Sequence, residues 1–261
     1  MLTEERQRAI RVLLEEKCAV TVAELSERFG CSDETVRRDL LALERRQQLI
    51  RVHGGAMSVK KTAQYSPFKE RHARMQPEKH ALCVFAAGFV QEGDTIALDP
   101  GSTSTVFCQV LTQRFDSLTV VVNSLGLFNI LTQKPGFRVI LCSGEYDREA
   151  DAFHGVLTEQ AIRTLHVSKT FLTCDGISLR HGFTAFRQDG LAIQQAMLDI
   201  ADKTFVLADS SKFEVAGTYR LTPLTGDMTV ITDRALPRSV YEMYLQADID
   251  IIREGDTDAD G

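Results

Sequence analysis

The stretch TVAELSERFGCSDETVRRDL, residues 21–40, decides how this 261-residue chain begins. Thr21 stands three residues before Glu24, the spacing of a capping box in which the hydroxyl accepts an N3 amide and the carboxylate reaches back. Val22, Leu25 and Phe29 then recur at i, i+3 and i+7, the core face of a short helix. Gly30 falls where the C-terminal cap demands positive φ, a conformation glycine adopts at little steric cost. Ser32 is a strong N-cap for the next helix, and Asp33 and Glu34 in its first turn complement the helix dipole. That helix turns Val36, Leu40 and Leu43 inward. Two short helices joined by a glycine-containing turn form a helix-turn-helix, whose second helix enters the major groove.

The flanks agree with that reading. Residues 3–17 form an amphipathic pattern with Ala9, Ile10, Leu13 and Leu14 on one face. Downstream, Leu49–Val52 reads as a strand running into Gly54-Gly55, so residues 49–58 are expected to form a hairpin wing. The whole chain carries a net charge of −6, which by itself argues against nucleic acid. Residues 1–62, however, hold 12 Lys+Arg against 10 Asp+Glu, and residues 45–61 hold five basic side chains and no acid. A local basic stripe matters more for phosphate binding than the global balance. Arg37 and Arg38 are the expected base readers, since a two-bonded arginine–guanine contact is worth roughly 1–3 kcal/mol of discrimination. Ser32, Thr35, Arg51 and His53 are the expected phosphate grips, which fix register without reading sequence. An isolated Arg-Arg pair is usually a solvated helix face; its place on a capped second helix before a basic hairpin favours the DNA role.

Beyond residue 58 the rhythm changes. Residues 58–78 are polar, are broken by Pro67 and Pro77, and read as a linker. Short apolar strands follow at 95–98, 118–122, 138–141, 169–172 and 204–208, then at 230–231 and 249–252. Helical patterns at 79–91, 103–113, 125–133 and 189–202 separate most of them. Such alternation implies a mainly parallel, Rossmann-like α/β domain over 79–252, behind a winged helix-turn-helix over 1–57. The acidic residues 253–261 read as a disordered tail.

Polar turns at the carboxyl ends of parallel strands are where such sheets bind ligands. Asp99-Pro-Gly-Ser-Thr103 opens a helix, where backbone amides, hydroxyls and the helix dipole favour an anion. Asn123-Ser124, Ser143-Gly144 and Asp175-Gly176 mark further turns, and Lys212 in Asp-Ser-Ser-Lys-Phe213 offers a charge to a phosphate. Each alone is often only a turn; together they predict a crevice.

The pattern Ser32-x-x-Thr35-Val-Arg-Arg-Asp-Leu40, then Leu49-Ile-Arg-Val-His-Gly-Gly-Ala56, resembles the signature of the DeoR family of bacterial regulators. Asp99-x-Gly-Ser-Thr103, Asn-Ser-Leu125, Asp-Gly-Ile177, Gly182-Phe-Thr184 and Ala-Asp-Ser-Ser-Lys-Phe213 resemble that family's sensor domain, which is similar to ribose-5-phosphate isomerase. The resemblance implies a repressor of a carbohydrate catabolic operon, relieved by a phosphorylated sugar or polyol. It implies effector contacts from Asp99, Gly101, Ser102, Thr103, Asn123, Gly144, Asp175 and Lys212. The chain departs from the family where Ser143-Gly144 replaces Gly-Gly and where Asp147 stands at an often basic position.

The rival reading is a sugar-phosphate isomerase fused to a DNA-binding module. Isomerisation needs a base placed beside a carbonyl. Asp175-Gly-Ile-Ser178 lacks the isomerase's additional acids, and Gly182-Phe-Thr-Ala-Phe-Arg187 replaces its lysine-glycine run, so no enzymatic activity is expected. Six cysteines without a C-x-x-C pair, and histidines without ligand spacing, predict no metal or cofactor. No apolar run approaches a membrane span and no secretion signal opens the chain, so a cytoplasmic protein is expected. A single winged helix covers little DNA, so a homo-oligomer spanning two half-sites is expected as well.

Overall fold

A computed structural model describes residues 2–17, 19–46, 48–52, 54–58 and 67–255. Its first part contains α1 (Thr3–Lys17), β1 (Ala19–Thr21), α2 (Val22–Phe29), α3 (Asp33–Arg45), β2 (Leu49–Val52) and β3 (Gly55–Ser58). The caps form as the residue types dictate. Thr21 Oγ1 accepts the Glu24 amide at 3.1 Å, Ser32 Oγ accepts the Thr35 amide at 3.3 Å, and Gly30 is left-handed at φ 61°. Ile10, Leu13, Leu14, Val22, Leu25, Val36, Leu40, Leu43 and Leu49 close one small core. The wing has three strands, because Ala19–Thr21 pairs antiparallel with Gly55–Met57 on the side away from β2.

The reading of 58–78 as a linker is corrected over its second half. Residues 68–73 form α4 (Phe68–Ala73), and α5 (Gln76–Ala86) begins three residues earlier than expected. Phe68 and His72 stack at 5.7 Å, one helical turn apart, and Pro77 lies in the first turn of α5, where its missing N–H costs nothing. Residues 59–66 and 256–261 lie outside the described residues, so the first half of the linker and most of the acidic tail do too.

The remaining elements alternate. They are β4 (Thr95–Leu98), α6 (Ser102–Arg114), β5 (Thr119–Val122), α7 (Leu125–Leu131), β6 (Arg138–Leu141), β7 (Glu145–Asp147), β8 (Ala152–His154), α8 (Val156–Arg163) and β9 (Val167–Thr173). After them come β10 (Gly176–Ser178), β11 (Gly182–Ala185), α9 (Leu191–Asp199), β12 (Ala201–Leu207), β13 (Tyr219–Thr222), β14 (Met228–Thr232), α10 (Arg238–Gln246) and β15 (Ile251–Arg253). Seven strands make one parallel sheet in the order β15-β14-β12-β9-β4-β5-β6. Period-two alternation feeds both faces. Ile96, Leu98, Val120, Val122 and Phe171 enter one core under α5, α6 and α7, while Ala97, Val121 and Leu172 enter another against α8 and α9. Phe107, Phe171 and Phe205 stack through the first, with centroids 4.8 and 4.9 Å apart. The expected helix 189–202 stops at Asp199 because Ala201–Leu207 pairs with β9. The chain progresses from β4 outward through β5 and β6, then returns to the other side of β4 at β9. That reversal is a topological switch point, which opens a crevice beyond the strand ends.

Candidate functional site

On α3, Val36, Asp39, Leu40 and Leu43 are buried, while Ser32, Arg37 and Arg38 are exposed and Thr35 is half-buried. Capping fixes the entry of the helix; the apolar stripe fixes its rotation. Arg38 Nε lies 3.4 Å from Glu34 Oε1, an exposed pair one turn apart that DNA phosphates or bases can outcompete. Arg37 forms no ion pair among the described residues. The hydroxyls of Ser32 and Thr35 lie 3.0 Å apart at the helix start, and Arg51 on β2 reaches Glu44 at 3.7 Å. His53 lies outside the described residues. A residue within the motif proves to be structural: Asp39 accepts hydrogen bonds from Arg6 and from Gln7 Nε2, the latter at 3.1 Å, tying α1 to α3. That hydrogen bond also holds the Arg6 guanidinium above its ordinary range.

At the switch point, Asp99 directly follows β4 and is only 1% exposed. Its carboxylate accepts the Thr173 amide at 3.0 Å, the Thr173 hydroxyl, Ser104 Oγ at 3.3 Å and Gln194 Nε2 at 2.7 Å. It thus joins β4, β9, α6 and α9. Burial pushes its carboxyl up to about 7, against the pull of those hydrogen bonds. Gly101 is required by space and not by backbone angle: a Cβ there would lie 2.7 Å from Thr173 Oγ1.

Two adjoining crevices open here. The first is walled by Asp99, Asn123, His154, Thr173, Asp175, Arg187, Asp189 and Gln194, with Arg71 from α4 at its rim. Asn123 is fully buried; its Nδ2 donates to the Phe153 carbonyl at 2.8 Å, and its Oδ1 has no partner among the described residues. Neither ring nitrogen of His154 has a partner of full hydrogen-bond geometry among the described residues; burial holds this imidazole below its ordinary range and so neutral at pH 7, against the pull of Asp147 and of the Asp189 carboxylate and backbone. A neutral imidazole and an amide oxygen offer one donor and two acceptors, the complement of hydroxyl groups. Arg187 clamps the β7–β8 hairpin beside this crevice, pairing with Asp147, with Glu149 at 2.9 Å and with Asp189 at 2.7 Å. The acid at 147 therefore neutralises an arginine of this chain.

The second crevice gathers Arg71, Arg74, Lys79 and Lys212 around Asp175 and Asp209. Four cations face two carboxylates, leaving an excess of positive charge. Lys79 Nζ donates to the carbonyls of Arg71 and Arg74. Its ammonium is held below its ordinary range by burial first, then by Lys212 and Arg71, against the opposing pull of Asp209. An anion entering here relieves that crowding.

Of the expected effector residues, Asp99, Asn123 and Asp175 line the first crevice, and Asp175 and Lys212 line the second. Gly101, Ser102, Thr103 and Gly144 are not among the residues that line these two crevices. Ser102 and Thr103 are buried at the start of α6, against which α4 packs. Gly144 is needed because a Cβ would meet Thr158 Oγ1 at 2.2 Å. Sequence reasoning missed Arg71, Arg74, Lys79, His154, Arg187 and Gln194. The i,i+4 spacing of Phe68 with His72, and of Glu70 with Arg74, was the available signal for α4.

A helical DNA-reading face joined to a parallel-sheet crevice defines a ligand-responsive regulator of transcription. Residues 6–62 match the DeoR-like helix-turn-helix domain, and residues 74–234 match the DeoR C terminal sensor domain. The chain belongs to the DeoR family of transcriptional regulators. It is 36% identical to the lactose phosphotransferase system repressor of Streptococcus mutans, over 89% of this chain and 94% of that protein. It is 32% identical to the transcriptional repressor AccR of Agrobacterium fabrum (92% and 93% covered) and 31% identical to the L-fucose operon activator of Haemophilus influenzae (88% and 91%). These relatives are named as regulators of transcription, not as enzymes. Ribose 5 phosphate isomerase A from Neisseria gonorrhoeae aligns with a TM-score of 0.40 at 16% identity, over 52% of this chain and 53% of that one. No helix among the described residues is long and apolar enough to cross a membrane.

Proposed function

We propose that this chain represses a carbohydrate catabolic operon and is released from its operator by a phosphorylated sugar or polyol. The observation that carries the reading is the pair of adjoining crevices: a polar one suited to hydroxyls beside a cation-rich one suited to phosphate. Asn123, His154, Gln194 and Asp189 take the hydroxyl end; Lys212, Lys79, Arg74 and Arg71 take the phosphate; Asp99 and Asp175 position them. Gly101, Ser102, Thr103 and Gly144 support these side chains from the turns behind the crevices. Arg37 and Arg38 read bases, and Ser32, Thr35, Arg51 and His53 hold phosphates. Residues 1–57 act as the DNA-binding unit and 79–252 as the sensor, in a cytoplasmic homo-oligomer that spans two half-sites.

The test begins with a duplex selected from a random pool by the full-length protein. Pentose, hexose and tetritol phosphates are then titrated into the complex and followed by fluorescence anisotropy. At least one phosphate ester should release the duplex, and its unphosphorylated parent should not. Lys212→Ala should bind the duplex as tightly as the wild type yet need about tenfold more ligand, the scale of a lost charge-assisted contact. An unchanged ligand requirement would remove Lys212 from the phosphate site.

A further inference from the structure

Arg71 occupies a junction in both sequence and space. It belongs to α4, the first described element after residues 59–66, which lead away from the wing strand β3. Its side chain walls both crevices. Nη1 donates to Asp175 Oδ1 at 3.2 Å, with the two side chains 26% and 16% exposed. Nε is buried and makes no hydrogen bond among the described residues. The other Asp175 oxygen accepts the Phe186 amide at 3.0 Å, so the carboxylate is fixed from below. Lys79 draws in the Arg71 and Arg74 carbonyls, which pins the end of α4 over the cationic crevice.

A guanidinium binds an oxyanion best through two parallel N–H groups, and here one edge is engaged while another is left unmet. We propose that Arg71 is an effector-sensing latch: Asp175 holds it in the empty chain, and an anionic group of the ligand engages the unmet Nε. Occupied, the guanidinium is held on both edges, and α4 is gripped more tightly against α6 and the crevice. The ligand half of this inference rests on the crevice reading above; the Arg71–Asp175 half does not.

Hydrogen exchange of the full-length protein tests it in two arms. Without ligand, Arg71→Gln and Asp175→Asn should each speed exchange of the α4 amides about fivefold, and the double variant should go no further, as expected for one shared interaction. Asp175→Asn keeps an acceptor for Phe186, and unchanged exchange in β4 and β9 confirms an intact fold. Wild-type exchange in both single variants overturns the latch. With ligand, any phosphate ester that raises the wild-type melting temperature should slow α4 exchange, and should fail to do so in Arg71→Lys, which keeps the charge but lacks the fork. Slowing in Arg71→Lys equal to wild type overturns the role of Nε. If no ester stabilises the wild type, the crevice reading fails, and the ligand-free arm still decides the latch.

Discussion

Asp39 stands between two arginine-led readings of the same motif. Its neighbours Arg37 and Arg38 face solvent, whereas Asp39 is buried against Arg6 and Gln7. Removing one partner of a buried ion pair strands the other charge, at a cost of about 3–5 kcal/mol. Asp39→Ala should therefore lower stability by that order in urea unfolding, with DNA binding lost through unfolding of α1 against α3. Arg38→Ala should instead leave stability within about 0.5 kcal/mol, as surface changes do. It should reduce discrimination at one base pair by about 1–3 kcal/mol, measured by competition with singly substituted duplexes. Asp99 makes a different residue-scale prediction. Its carboxyl sits at about 7 when folded and near 3.9 when unfolded, so the folded chain binds the extra proton between those values. Its contribution to stability is then fully present below about pH 4 and is lost as pH rises to 7, at up to about 1.4 kcal/mol per pH unit. Asp99→Asn should remove that slope, and the difference between wild type and variant should flatten above pH 7. A pH-independent difference would contradict the assignment. Asp99 could be placed from sequence because an acid followed by Gly-Ser-Thr marks a strand end. Its role as a hub for Thr173, Ser104 and Gln194 could not, since those partners lie up to 95 residues away.

Elements were legible in proportion to how strongly local sequence constrains them. Parallel strands buried on both faces read as apolar runs, so β4 and β5 fall where expected; β6, half-buried at the sheet edge, does so through its apolar Val139–Leu141. The hairpin β7–β8 and the strands β10, β11 and β13 carry mixed, short patterns and escaped notice. α8 is eight residues long and leaves Val156 and Leu157 exposed, which blurs its stripe. α4 was lost to the prolines that flank it, although Pro67 and Pro77 sit outside it. At this scale the central strand β9 is the keystone, paired to both β4 and β12. Phe171 on it contacts Phe107 and Phe205. Phe171→Ala should cost about 3–5 kcal/mol by chemical denaturation, the range for deleting a core aromatic. A loss below about 1 kcal/mol would mean that the stacked rings do not carry the sheet's packing.

At the scale of the whole molecule, charge and topology divide the labour. The DNA-reading part is locally basic within an acidic chain, and the crevice lies where the sheet order reverses. The two parts also touch, since β1 packs near α10 and the Gly54 turn faces Gln246. Linkage requires that a ligand which weakens operator binding be weakened by operator to the same degree, typically by 1–3 kcal/mol. Titrating an active phosphate ester with and without the selected duplex should give affinities that differ by about 5–150-fold. Identical affinities would exclude direct coupling. The existence of a crevice was legible from turns after strands; the partition into polar and cationic halves was not, because Arg71 and Arg74 come from the stretch read as a linker and Lys79 opens the first expected helix with no motif to mark it.

On the proposed function, the exposed face of α3 and its adjoining wing read duplex DNA. The direct measurement is the affinity of full-length protein for its selected duplex between about 50 and 200 mM salt, with random duplex as competitor, for wild type and for Arg37→Ala/Arg38→Ala. Affinity should fall steeply with salt through counterion release. The wild type should also prefer the selected sequence, and the double variant should lose that preference. Equal retention on selected and random duplex, or a double variant indistinguishable from wild type, would contradict it.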